Sequence, residues 1–195
     1  MRHMHNFSRA VSFVINPLCV VGVFLFYIVF HFAPDMRSGG VWFVWALGLI
    51  GIVPALFILY AVKAGHISDI RLLRRNDRFG PFSVASIGMI LTILIFFKLG
   101  VPPPLLMFLM SGLLILLTAT IITLFWKISV HSLAISAIVT TVNVLTFFHY
   151  WYLFALLPIV MWSRVELKRH TLSQVIAGAA VSLVIVYVTY TIYGI

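Results

Sequence analysis

Two short polar stretches interrupt a chain that is 63% hydrophobic, and each sets a histidine among hydroxyl and basic residues. One reads Lys127-Ile128-Ser129-Val130-His131, and the other reads Ser163-Arg164-x5-His170-x3-Gln174. A guanidinium such as that of Arg164 grips phosphate oxygens as a planar fork. A neutral imidazole such as His170 attacks phosphorus when an acceptor orients its other ring nitrogen. Gln174 lies one helical turn beyond His170 on the same face, where such an acceptor belongs. The first stretch opens a helix, whose leading N–H groups and dipole favour an anion, with Ser129 as its cap and His131 placed to donate a proton. Each stretch also has a plainer reading. A basic loop can follow the charge bias of membrane proteins, and a histidine can simply bond within a helix bundle.

A third polar stretch, residues 63–81, carries Arg71, Arg74, Arg75 and Arg78 beside Asp69 and Asp77. Phosphate binding and surface ion pairing are both open to these arginines. No four-ligand metal set, phosphate-cradling glycine loop or dinucleotide fingerprint stands out, so no metal or other cofactor is expected.

The elements that must hold these residues are membrane helices. Only 9% of the residues are charged, against about 25% in soluble domains. A crossing needs roughly 20 apolar residues, so 195 residues hold six to seven crossings with short connections and no soluble domain. Residues 10–32 form the first apolar run. It is too long for a secretory signal, and Pro34-Asp35-Met36-Arg37 is no small-residue cleavage site, so a retained helix is expected. Residues 41–62 follow, with a kink expected at Pro54. Residues 82–97 and 105–126 are separated by Pro102-Pro103-Pro104, which no helix crosses. Residues 128–162 are too long for one crossing, and Phe148-His149-Tyr150-Trp151-Tyr152 in their middle suits an interface, so two short helices are expected there. A last helix runs from Thr171. Asn16, Asn143 and the Thr140-Thr141 pair are expected to bond between helices. The lone Cys19 leaves the redox compartment open.

With two helices between successive polar stretches, the three stretches and the N-terminus fall on one membrane face. All the Lys and Arg residues except Arg37 and Lys98 then share that face, which the positive-inside rule places in the cytoplasm. The net charge of +9 therefore points to loops and anionic headgroups rather than nucleic acid.

Together the three stretches resemble the type 2 phosphatidic acid phosphatase superfamily, whose catalytic core is shared with vanadium haloperoxidases. Its motifs run Lys-x6-Arg-Pro, Pro-Ser-Gly-His and Ser-Arg-x5-His-x3-Asp. Ser163, Arg164 and His170 match the third. Ser129 and His131 match the second, with Ile128 and Val130 in place of Pro and Gly. Arg71-x6-Arg78 keeps the spacing of the first, with Pro81 two residues late. Gln174 stands where the superfamily has Asp.

The resemblance covers residues 68–195. It implies an all-α polytopic bundle with its motifs at helix ends on one face, residues 1–63 as anchor helices and residues 64–195 as the catalytic bundle. It implies metal-independent hydrolysis of a lipid phosphate or diphosphate, prenyl or phosphatidate-like, in a prokaryotic plasma membrane. His170 would form a phosphohistidine and His131 would protonate the leaving group. Arg164, Arg78, Arg71, Lys127, Ser163 and the amides of Ser129 and Val130 would hold the phosphoryl oxygens. The alternative is a degenerate member that binds or moves anionic lipids without turnover.

Overall fold

A computed structural model describes residues 2–70, 72 and 74–194, with side chains from residue 4 onwards. Among them the chain is all-helical: α1 (Arg2–Val14), α2 (Pro17–Phe32), α3 (Met36–Ala46), α4 (Val53–Lys63), α5 (Phe79–Lys98), α6 (Pro103–Phe125), α7 (Val130–Leu145), α8 (Leu156–Glu166) and α9 (Leu172–Ile192). Two compact units form, Met1–Phe24 with Ile128–Ile195, and Leu25–Lys127, with the boundary inside α2.

The protein is an integral membrane protein by the length and apolar character of its helices. Four are long and apolar enough to cross: Met36–Lys63, Asn76–Lys98, Pro103–Phe125 and Leu172–Ile192. A fifth is the bent pair Met4–Val14 and Pro17–Phe32, if it counts as one. Six to seven crossings were expected. α7 falls short of that test because its 16 residues rise only about 24 Å at 1.5 Å each, and α8 is shorter still at 11.

The first apolar run is not one helix. It breaks at Ile15 and Asn16, and its two halves are bent by 41°. Pro17 cannot donate to the preceding turn, and Asn16 Oδ1 accepts the Leu18 N–H at 2.9 Å, so Asn16 starts a new helix rather than bonding across to another.

In the Leu25–Lys127 unit, Asp35 caps α3. Its carboxylate accepts from the Ser38 N–H at 2.9 Å and the Ser38 hydroxyl at 2.8 Å. Those two bonds, the backbone one foremost, hold the Asp35 carboxyl below its usual range. A π-helical turn over Leu47–Ile52 joins α3 to α4 just before Pro54. The proline has no N–H and its ring crowds the carbonyl one turn back, so a widened turn there is physically apt. α5 packs on that turn at Gly88, where a Cβ would collide with the Leu49 carbonyl oxygen. α5 ends in a Schellman motif: Gly100 adopts φ +65°, Val101 N–H donates to Phe96 O and Gly100 N–H to Phe97 O. The proline run then starts α6, which packs against α5.

In the other unit, α7 and α9 pack against one another more extensively than any other helix pair. α8 packs against α1, α7 and α9. Ile135, Val139 and Val160 form a core covered by Leu153, Phe154, Leu156 and Leu157. The two short helices meet at the aromatic segment as expected. Phe147 and Phe148 turn there at positive φ, and Phe147, Trp151 and Tyr152 are exposed. Asn143 Nδ2 bonds back to Val139 O within its own helix, and the Thr140 and Thr141 hydroxyls have no partner among the described residues, so this trio does not bond between helices as expected.

Candidate functional site

The starts of α7 and α9 lie side by side. Ser129 has extended backbone and caps α7, its Oγ accepting from the Ser132 N–H at 3.4 Å and the Ser132 hydroxyl at 3.1 Å. Its own N–H donates to the Gln174 carbonyl oxygen at 3.4 Å. One turn further along α9, Gly178 lets the backbones touch: a Cβ there would stand 2.9 Å from Ser129 O and 3.2 Å from the Ser132 Cβ. Ser136 Oγ then donates to Ala179 O at 2.7 Å, so both helices leave this junction together. Two positive helix ends are therefore brought to the same place. Val130 and His131 are the first two residues of α7, and His131 is half-buried.

α8 ends in a left-handed residue, Lys168 at φ +52°, with Arg169 N–H returning to Arg164 O at 3.1 Å. The His170 N–H also reaches Arg164 O, at 3.4 Å. This sharp stop delivers His170, buried, to the first turn of α9. Thr171 caps α9 in a reciprocal box with Gln174. Thr171 Oγ1 accepts the Gln174 N–H at 3.4 Å, and Gln174 Oε1 accepts the Thr171 N–H at 3.2 Å.

The same Oε1 lies 3.1 Å from His170 Nδ1. An oxygen already held by a backbone N–H can only accept from the ring. The neutral imidazole is thereby assigned its proton on Nδ1 and its lone pair on Nε2. Gln174 does by hydrogen bonding what a carboxylate in this position would do, without adding charge.

Ser163 and Arg164 both bond to α1. Ser163 Oγ, fully buried, donates to Ser8 O at 3.1 Å, and Arg164 Nη1 donates to the Ser12 hydroxyl. Both bonds tie α8 to α1.

Arg78 and Lys127 belong to the Leu25–Lys127 unit. Arg78 is buried, and its Nε donates to Leu72 O at 3.0 Å, closing its loop. Asp77 receives the Ser68 N–H at 3.1 Å and the Ser68 hydroxyl as well. Arg71 lies outside the described residues. Among the described residues, no three His, Cys, Asp or Glu side chains come together as a metal would need.

The residue types alone did not single out Ser12, Ser132, Thr171 or Gly178. Only Thr171 carried a readable signal, the Thr-x-x-Gln pattern of a capping box. No protein-family model, curated protein or solved structure matches this chain.

Proposed function

We propose that the chain is a divergent membrane lipid phosphatase of the type 2 phosphatidic acid phosphatase kind. The observation that carries the reading is the His170 ring, oriented through Nδ1 by a Gln174 oxygen that the capping box fixes. In this scheme His170 Nε2 attacks phosphorus, and the phosphorus–oxygen bond to the lipid breaks as His131 protonates the departing oxygen. Water, deprotonated by His131, then cleaves the phosphohistidine to release phosphate. Arg164 and the Val130 amide would stabilise charge spreading over the phosphoryl oxygens, whereas the Ser129 N–H and the Ser163 hydroxyl are already given to Gln174 O and Ser8 O. The scheme calls on no metal.

α7 and α8 would add short crossings to reach six or seven. Residues 1–63 would anchor the catalytic residues 64–195. The motif face would meet the cytoplasm of a prokaryote, and the lipid tail would stay in the bilayer. The test is phosphate release from prenyl phosphate, prenyl diphosphate and phosphatidate by purified protein. Release abolished by His170→Ala supports the reading, and release that survives it refutes the reading.

A second reading has its own observation. The Ser163 and Arg164 side chains bond to α1, which suits a degenerate member that binds anionic lipids without turnover. Tight phosphatidate binding without phosphate release from any of the three lipids favours it.

A further inference from the structure

α1 meets the rest of its unit along its Ser8–Ser12 edge and leaves an apolar flank outside. Ser8 is fully buried and its carbonyl oxygen accepts from Ser163 at 3.1 Å, while the Ser12 hydroxyl accepts from Arg164. The Phe7 ring lies 6.0 Å from that of Trp162. Met4, Phe7 and Val14 share one flank at helical spacing and are exposed, and Phe13 is exposed by 82%. Arg9 is exposed on the opposite flank.

The depth of α1 follows from α8. The end of α8 stands just before Leu172–Ile192, a crossing in the same unit, and so lies at headgroup depth. From Ser8 to Ile15 the chain rises about 10 Å, yet its partners on α8 span only Val160 to Arg164, about 6 Å. α1 therefore slants across the end of α8 instead of running down its side. Its polar residues suit that place, because His5, Asn6 and Arg9 would be costly at the bilayer centre. Beyond the 41° bend, α2 exposes Leu18 and Val23, so the outward apolar surface of α1 runs on into an apolar helix. Charge then selects the kind of membrane. The sequence has Arg2 and Arg9 but no Asp or Glu before Asp35. We infer that α1 lies in the headgroup layer of an anionic membrane, with Met4, Phe7 and Val14 against acyl chains and Arg9 among phosphates. The inference goes beyond the phosphatase reading and does not rest on it.

Fluorophores on single cysteines test it, in the full chain carrying Cys19→Ser and held in nanodiscs of phosphatidylcholine with phosphatidylglycerol. Quenching by lipids brominated at graded chain depths reads where Met4→Cys, Phe7→Cys, Arg9→Cys and Val14→Cys stand. Positions 4, 7 and 14 should share one shallow depth, with position 9 nearer water. Depth that increases steadily from position 4 to position 14 means a crossing and overturns the inference. Labels at positions 7 and 14 that no brominated lipid quenches mean that protein covers the flank, which overturns it too. Brominating only one of the two lipids reads which of them gathers at α1. Phosphatidylglycerol should quench the position-7 label more strongly. Arg9→Gln should cut that enrichment about fivefold, the weight of one basic residue at an anionic surface. Equal quenching by the two lipids overturns the anionic assignment.

Discussion

Replacing Gln174 by alanine removes two bonds made by one oxygen. The first is the return bond of the box, from Thr171 N–H, worth about 1 kcal/mol net, while the Thr171 cap itself stays. The second is the bond from His170 Nδ1. His170 is 8% exposed, so water cannot readily take over, and an orphaned buried donor costs about 1–3 kcal/mol. The variant should therefore lose about 2–4 kcal/mol, with the upper part of that range coming from the histidine. Gln174→Glu should retain most of the stability, because it keeps an acceptor oxygen in place and sets a negative charge at a helix N-terminus.

The two variants separate orientation from charge. Losing a charged orienter has cost another catalytic histidine up to about 10⁴-fold, so Gln174→Glu should raise phosphate release while Gln174→Ala abolishes it. Denaturant unfolding in detergent gives the stabilities, and nitrogen-15 NMR of the histidine rings gives the His170 tautomer. Wild-type stability in Gln174→Ala, or a proton on Nε2 in the parent protein, would refute the reasoning.

Other consequences follow from the same structure. Gly178→Ala drives a methyl against Ser129 O and the Ser132 Cβ. It should cost about 1–3 kcal/mol by overpacking and lower phosphate release, read from unfolding curves and turnover side by side. Thr141→Val removes a fully buried hydroxyl with no partner among the described residues, so thermal unfolding should show a gain of about 1 kcal/mol. The Asp35 carboxyl is held low by Ser38. Its contribution to stability is present above the unfolded carboxyl pKa near about 3.9 and fades as pH falls through the lower folded value. Asp35→Asn should flatten that acid limb in a pH series of melting curves.

Much of the fold was legible because local rules wrote it. The proline run between α5 and α6, the aromatic break between α7 and α8, and the Ser129 cap follow from residue types at fixed spacing. The pairing of His170 with Gln174 was anticipated too, but His170 stands just before the Thr171 cap, outside α9, and the capping box turns the Gln174 side chain back to it. The Asn16-Pro17 break was equally local, yet the long apolar run around it masked the cap signal. What no spacing could show is where Arg164 goes. Its partner Ser12 lies on a helix far away in the chain, and such pairing depends on how helices assemble. The polar stretch before α5 was hard for a related reason. Its charges left phosphate binding and surface ion pairing both open, whereas Arg78 and Asp77 bond to their own loop, to Leu72 O and to Ser68.

The central claim is that His170 becomes covalently phosphorylated. The most direct measurement is to quench the protein in alkali during turnover of radiolabelled lipid phosphate and map the label by peptide mass spectrometry. The account predicts an acid-labile label on His170 that is absent from His170→Ala. Phosphate release without any label on His170 would contradict it.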